Sequence, residues 1–363
     1  MESYINIDKN MIVNTTIGDT EVVWMDVKKA PFSLHGFSDV TPFYRRVPAD
    51  VAEATSEGVA ALCKESAGGR VRFSTNSPYI AIRAKYLVVG RSSHLTLVSA
   101  SGFDLFMDGE FGSRFVKEFR MPLDMHDSYE QIVYLEDEYM RSYTINFPVH
   151  AVVESLEIGL KPGCSLAPAT PYRDIKPVIF YGSSIVHGTA ASRPGGIYPC
   201  VISRELNLDF INIGFSGMAK GEQPLAEWMA TLPMSVFVCD YDHNAPTVEH
   251  LEATHYALYE TIRKKNPDLP YIMVTRPDYW SLLCEQEHIL QRRDVIMSSY
   301  LKARASGDKN VYFIDGMSFN VGAHQYDLSM DAVHPNDAGF LRMADSIGTV
   351  IRHALEKAGE KKI

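Results

Sequence analysis

The spacing of apolar residues changes near residue 165, and that change restricts the chain to a fold built in two parts. Before it, apolar residues alternate over short runs. In "YIAIRAKY", Ile80, Ile82, Ala84 and Tyr86 share one face while Arg83 and Lys85 take the other. "HLTLVSA" sets Leu95 with Leu97, and "SLEIGLKPG" sets Leu156 with Ile158 and Leu160. Successive strand side chains point to opposite faces, so this period of two, punctuated by Gly, Pro, Asn and Asp, predicts antiparallel strands. "FMDGEF" predicts a hairpin turn on Asp108-Gly109. Residues 1–168 are therefore expected to form an all-β sandwich or jelly-roll domain.

"KPGCSLAPATPYRDIKP" carries four prolines without periodicity and reads as a linker or surface strap. Beyond residue 176 the apolar residues form continuous runs: 178–181, 210–213, 236–239, 271–274 and 311–314. Amphipathic stretches at about 197–206, 247–265, 285–304 and 337–357 separate them. Continuous apolar strands between helices predict an α/β domain over 172–363, a parallel five-stranded sheet with helices on both faces. Arg292, Arg293 and Asp294 mark 285–304 as a solvated helix face. Ligands in such sheets bind beyond the carboxyl ends of the strands, so the chemistry is expected there.

Composition narrows the function classes. The 363 residues suffice for two cores, and 46% hydrophobic with 22% charged residues suits a globular chain. A net charge of −10 with no basic cluster argues against nucleic-acid and anionic-membrane partners. No segment approaches the length of a membrane-spanning helix. Five scattered cysteines (Cys63, Cys164, Cys200, Cys239, Cys284) without metal-ligand spacing read as reduced thiols. "MESYINIDKN" shows no signal peptide, so a cytoplasmic location is expected, although a trimmed secreted form would look the same. The oligomeric state is not readable, and a homo-oligomer stays open.

Four strand ends carry unusual residues. The first ends in "FYGSSIVHG", where Gly182 permits a tight exit and a serine hydroxyl sits at the mouth of the sheet. A phosphate-type loop or a plain turn would look alike. The second ends in "NIGFSGMAKG", whose Gly214, Gly217 and Gly221 suit close approach of backbone to ligand, or merely a flexible loop. In the third, "CDYDHNAP", Asn244 can aim an amide N–H into the cleft or merely form an Asx-turn or N-cap; Thr247 is a ready N-cap for the next helix, which leaves Asn244 freer to point elsewhere. Asp240 and Asp242 there read as strand-end hydrogen-bonding groups. After the fifth strand, "SMDAVHPNDAGF" places Asp331 three residues before His334, ahead of a helix capped by Asn336 or Asp337. That spacing lets a carboxylate fix an imidazole tautomer.

These blocks resemble the SGNH (GDSL-like) hydrolase superfamily. Within it the chain is similar to the two-domain bacterial group whose first domain carries a GxDLY motif, here Gly102-Phe103-Asp104-Leu105-Phe106. The likeness runs from "GGRVRFSTNSPYIAIRAKY" through "SGFDLFMDG" to "DYDHNAP" and "HPNDAGF". It implies a flavodoxin-like catalytic domain behind a jelly roll, and a small-molecule or glycan acyl esterase. Ser184 matches the family nucleophile, Gly217 the block-two glycine, Asn244 the block-three asparagine, and Asp331 with His334 the Asp-x-x-His pair. Ser183 stands where the family usually has Asp, which creates a second candidate nucleophile. "DYDHN" replaces the common Gly-x-Asn-Asp block, which leaves a further role for Asp240 or Asp242 open.

The implied reaction is acyl transfer to water through an acyl-serine, with His334 as base and Asp331 orienting it. The N–H groups of Ser184 and Gly217 and the Asn244 side chain would form the oxyanion hole. Neither metal nor organic cofactor is implied. The expected substrate is a short acyl, above all acetyl, ester of a carbohydrate or small polar alcohol. His187 and Arg276 are candidate substrate contacts, against a loop histidine without a role and an arginine pairing with an acid. Phe103 is a third candidate if the GxDLY segment walls the site rather than filling the sandwich. Tyr279 and Trp280 could stack on a sugar or close a core. The rivals are a thioesterase or lysophospholipase, which needs an apolar channel, and a non-catalytic glycan-binding protein, for which an intact triad is unexpected.

Overall fold

The computed structural model describes residues 17–110, 112–277 and 286–359. Ten strands come first: β1 (Val23–Asp26), β2 (Ser33–His35), β3 (Arg70–Thr75), β4 (Tyr79–Val88), β5 (Phe103–Gly109), β6 (Gly112–Phe119), β7 (Ser128–Tyr134), β8 (Arg141–Asn146), β9 (Val152–Leu160) and β10 (Leu166–Ala167). They pair antiparallel in two sheets, ordered β1-β9-β4-β7 and β10-β3-β8-β5-β6, with β2 added beside β3. The alternation in β4 does what period two requires: Ile80, Ile82, Ala84 and Tyr86 meet Leu156, Ile158, Phe73 and Ile145 between the sheets.

Two local expectations are corrected. Leu97 does not pair in a strand; it opens a one-turn helix, α3 (Leu97–Ser101), whose N-cap Thr96 accepts the Ser99 N–H at 3.1 Å. Two alternating leucines are too few to outweigh a good cap. The hairpin turn is also displaced. Asp108 and Gly109 still belong to β5, Gly109 pairs with Gly112, and Gly112 supplies the positive φ of +112°. The Asp108 carboxylate is held by Arg72 Nη2 at 2.9 Å instead of closing a turn.

Short helices α1 (Ala49–Thr55) and α2 (Glu57–Leu62) lie in the same stretch of sequence but pack elsewhere. Val47, Ala52, Val59 and Cys63 are fully buried in one core with Ile179, Tyr181, Ile213 and Phe237 of the second half.

That half is the parallel sheet: β11 (Val178–Gly182), β12 (Phe210–Gly214), β13 (Val236–Asp240), β14 (Tyr271–Val274) and β15 (Val311–Ile314), in the order β12-β11-β13-β14-β15. This is the flavodoxin-like order, with its switch point between β11 and β13. One face is covered by α6 (Gln223–Met229), α7 (Val248–Lys265) and α8 (Gln286–Ala305) together with α1 and α2. The other carries α4 (Ser184–His187), α5 (Tyr198–Leu206) and α9 (Asp337–Lys357). Gly182 is in register with both Gly214 and Asp240, so three strands end level and deliver their following loops to one place. No described helix is long and apolar enough to cross a membrane.

Candidate active site

The serine turn follows from crowding at the end of β11. A Cβ on Gly182 would lie 1.9 Å from the Asp240 carbonyl, so only glycine lets the strands sit this close. Ser183 then caps α4: its hydroxyl is buried and accepts the Ile185 N–H at 3.2 Å. Ser184 opens the helix with its Oγ 2.8 Å from His334 Nε2. The imidazole's other nitrogen, Nδ1, lies 2.7 Å from Asp331 Oδ2. Asp331 Oδ1 meanwhile accepts the N–H groups of His334 (2.7 Å) and Val333 (3.0 Å).

The loop bearing the histidine is closed behind it. The His334 carbonyl accepts the Met330 N–H at 2.9 Å and the Ser329 hydroxyl at 3.0 Å. Partial burial pushes the Asp331 pKa up, but its hydrogen bonds from the His334 main chain, the His334 imidazole and the Val333 N–H carry it below the ordinary carboxylate value. A carboxylate there keeps the imidazole proton on Nδ1 and leaves Nε2 free to accept the serine proton.

The second and third strand-end loops meet beside this chain. After β12, Gly217 (φ +71°) sits exposed in a turn closed by the Met218 N–H on the Phe215 carbonyl at 3.0 Å. The same carbonyl accepts Asn244 Nδ2 at 2.8 Å, which uses one of the two amide hydrogens. Asn244 ends a short 3₁₀ turn after β13, and Thr247 caps α7 as expected. Asn336 caps α9, its Oδ1 accepting the Gly339 N–H at 3.1 Å.

Other candidates are placed differently from expectation. His187 is not an exposed loop residue; it ends α4 with no solvent exposure, because a Cβ-free Gly214 lets α4 pack directly on β12. Phe103 is sealed inside the sandwich, 5.3 Å from the Phe147 ring, and cannot reach a substrate. Phe106 of the same motif faces the parallel-sheet half, where Arg204 lies 4.1 Å above its ring. Asp104 is buried there too and accepts the Gly195 N–H at 2.7 Å. Arg276 is half-buried, its N–H donating to Asp242 Oδ2 at 2.9 Å. Arg292 is not on a solvated face: it donates to the Asp242 carbonyl at 2.7 Å, and Arg293 pairs with Asp315 at 2.6 Å. Tyr279 and Trp280 lie outside the described residues.

Asp240 and Asp242 are fully buried, and burial raises the pKa of both. Asp240 meets the Tyr198 hydroxyl at 3.3 Å, and one oxygen of each carboxyl lacks a partner. His243, which sequence reasoning passed over although it precedes Asn244, has an unpartnered buried Nε2. Burial, Arg276 and the His334 imidazole push its pKa well below the ordinary value.

Among the described residues, one group has ligand atoms near enough to surround a metal: Glu65, His150 and His187. Its hydrogen bonding argues otherwise. The Ser216 N–H points at His187 Nδ1 (3.3 Å), which makes Nδ1 an acceptor and puts the proton on Nε2, the atom facing Glu65. A protonated Nε2 has no lone pair for a metal. A cavity of about 260 Å³ lies at the seam of the two halves, lined by Arg70, Arg72, Tyr172, Arg204 and Phe210. Phe210 begins β12, so this cavity is at the opposite end of the parallel sheet from Ser184.

The family described as GDSL-like lipase/acylhydrolase matches residues 175–352, and the GxDLY family, described as the N-terminus of SGNH-hydrolase-type esterases, matches residues 22–166. A solved structure from Bacteroides ovatus, assigned as a GDSL-like lipase, is 26% identical with a TM-score of 0.83, covering 93% of this chain and 98% of that one. The salicylyl-acyltransferase SsfX3 of a tetracycline biosynthetic pathway is 19% identical, with a TM-score of 0.72 and coverage of 94% and 99%. A family two carbohydrate esterase from Clostridium thermocellum, in complex with cellohexaose, is 16% identical, with a TM-score of 0.57 and coverage of 80% and 94%. No curated protein sequence matches the chain. With its two halves matched separately, the chain belongs to the SGNH (GDSL-like) hydrolases, in the two-domain group with an N-terminal GxDLY domain.

Proposed function

We propose that this acylhydrolase is a serine esterase acting on short acyl esters, acetyl foremost, of a carbohydrate or other small polar alcohol. The observation that carries the reading is the unbroken chain Ser184 Oγ, His334 Nε2, His334 Nδ1, Asp331 Oδ2, with links of 2.8 and 2.7 Å. Ser184 Oγ attacks the ester carbonyl while His334 Nε2 takes its proton. The negative charge gathers on the carbonyl oxygen, met by the N–H groups of Ser184 and Gly217 and the free amide hydrogen of Asn244. Collapse breaks the ester C–O bond, and the imidazolium returns the proton to the departing alcohol. A water then repeats the cycle on the acyl-serine. Asp331 stabilises the imidazolium without taking its proton.

A polar alcohol is favoured by the likeness to carbohydrate esterases and by a site that opens to solvent, with Ser184 and His334 half-buried. The test is a panel of p-nitrophenyl esters from acetate to palmitate, run beside acetylated sugars with and without an added acceptor alcohol. Highest kcat/KM on acetate and on the sugars supports the reading. A maximum at long chains moves the assignment to a thioesterase or lysophospholipase. Product partitioning wholly to the added alcohol moves it to acyl transfer, as in SsfX3, and silence on every ester favours glycan binding.

A further inference from the structure

The segment around α1 and α2 precedes most of the sandwich strands in sequence, yet its polar side chains end on the loop after β12. Arg46 is fully buried and spends its guanidinium on main-chain carbonyls: Nη1 on Gly214 (2.7 Å) and Asn212 (3.1 Å), Nη2 on Leu62 (2.8 Å), Nε on Glu65 (2.7 Å). Its charge lies 4.8 Å from the ring centre of Phe215. A guanidinium with several fixed donors is suited to such a clamp, since each carbonyl it meets is held in place by the others.

The Glu65 side chain continues the brace. Its Oε2 lies 3.1 Å from His150 Nδ1 and 3.0 Å from His187 Nε2. His187 Nδ1 in turn faces the Ser216 N–H at 3.3 Å and the Ser216 hydroxyl at 3.0 Å. His150 Nε2 lies 3.1 Å from the Thr189 hydroxyl, itself 3.3 Å from Ser216 Oγ. A main-chain N–H can only donate, so His187 presents Nδ1 as acceptor and Nε2–H as donor; that N–H meets the Val149 carbonyl at 3.1 Å with the Glu65 carboxylate 3.0 Å from the same atom, and both are acceptors that hold this tautomer.

We infer that Arg46, Glu65 and His150 are positioning residues for the oxyanion hole, acting through His187 and Ser216 on the turn that carries Gly217 and through Phe215 on the carbonyl that orients Asn244. The inference rests on the serine-esterase reading. It gives the first half of the chain a part in catalysis from behind the site, where the GxDLY phenylalanine Phe103 does not reach. Burial and then Arg46 push the His187 pKa down to about 4, so the imidazole is neutral in the working range and able to accept. Burial alone would raise the Glu65 pKa, but hydrogen bonds from His150 and His187 bring it well below the ordinary carboxylate value, so it stays ionised.

The experiment uses the full chain with Glu65→Gln and Glu65→Ala. It measures kcat and KM on p-nitrophenyl acetate and the affinity of a small alkylboronic acid, whose tetrahedral adduct on Ser184 places an oxygen in the hole. Misplacing donors by a fraction of an ångström is expected to lower kcat by about 10- to 100-fold in Glu65→Ala, with KM within about twofold. Boronate affinity should fall by the same factor, and the acid limb of the pH profile should stay where it is. Glu65→Gln keeps an acceptor oxygen and is expected to retain more activity. If Glu65→Ala does not melt cooperatively, Ser216→Ala takes its place with the same criteria. A folded Glu65→Ala, or Ser216→Ala in its place, with kcat within about twofold of wild type overturns the inference, as does a kcat loss with boronate affinity intact. Stoichiometric zinc bound by Glu65, His150 and His187 in the purified protein also overturns it. Ser184→Ala, run in parallel, separates the two levels: substantial residual activity there removes the esterase reading itself.

Discussion

Asn244 and Phe215 are joined across the ends of β13 and β12 by a 2.8 Å hydrogen bond from the amide Nδ2 to the main-chain carbonyl. Because the same carbonyl closes the Gly217 turn, two of the three proposed oxyanion donors are set in register by one atom. Asn244→Ala removes a donor and loosens that register. It is expected to lower kcat on p-nitrophenyl acetate by about 10²- to 10³-fold with little change in KM. Steady-state kinetics showing kcat within a few-fold of wild type would exclude Asn244 from the hole.

The two adjacent serines are expected to separate cleanly. Ser184 touches the imidazole, whereas the Ser183 hydroxyl is buried on the Ile185 N–H. Ser184→Ala should lower kcat by several orders of magnitude, on the order of 10⁴ to 10⁶. Ser183→Ala should keep most activity and instead lose about 0.5–2 kcal/mol of stability with its cap. Mass spectrometry of the protein after an organophosphate label checks the assignment directly; label on Ser183 would reverse it.

The acid side of the pH profile should involve one proton. His334 must be neutral to accept the serine proton, so activity falls as pH falls. Asp331 has a folded-state pKa below the ordinary carboxylate value. Its hydrogen bonds therefore stabilise the loop at any pH above that ordinary value and are lost only as pH falls through the depressed one. The carboxylate therefore stays charged across the acid side of the profile. Log kcat/KM against pH should rise with unit slope on the acid side, and a slope of two would show the carboxylate titrating with the histidine.

The parallel sheet was legible because buried strands leave continuous apolar runs, and its strand ends gathered the residues that stood out as unusual. Ser184, Asp331 and His334 could be picked out because each sits at a strand end with a short local signature. The role of Phe103 was also open to period-two reasoning: Phe103, Leu105 and Met107 share one face of β5 and fill the core, while Asp104 and Phe106 share the other. Arg46 and Glu65 carried no such signal. The partners that tie them to the site, Gly214 for Arg46 and His187 for Glu65, lie more than a hundred residues away, and only the packing of α1 and α2 on the parallel sheet brings them together. The burial of His187 had no local signal either: it ends a one-turn helix closed by Gly188 (φ +111°) and packed directly on β12.

That packing predicts the behaviour of the second half on its own. A fragment of residues 170–363 would keep all five parallel strands and the Ser184, Asp331 and His334 side chains. It would lose Val47, Ala52, Val59 and Cys63, each fully buried against Ile179, Tyr181, Ile213 and neighbours. Burial of a valine side chain contributes about 1.5–3 kcal/mol, so Val47 and Val59 alone represent roughly 3–6 kcal/mol. The whole stability of a domain is typically only about 5–15 kcal/mol. The carbonyls of Asn212 and Gly214 would also lose the Arg46 guanidinium. The fragment is therefore expected to lack a cooperative thermal transition and to bind a hydrophobic dye. A longer fragment beginning near residue 40 should recover part of the transition, since it restores α1 and α2 together with Arg46 and Glu65. Differential scanning calorimetry of the two fragments beside the full chain makes the comparison. A sharp transition for 170–363 close to that of the full chain would show that the α1–α2 segment is an accessory to the parallel-sheet core and not a part of it.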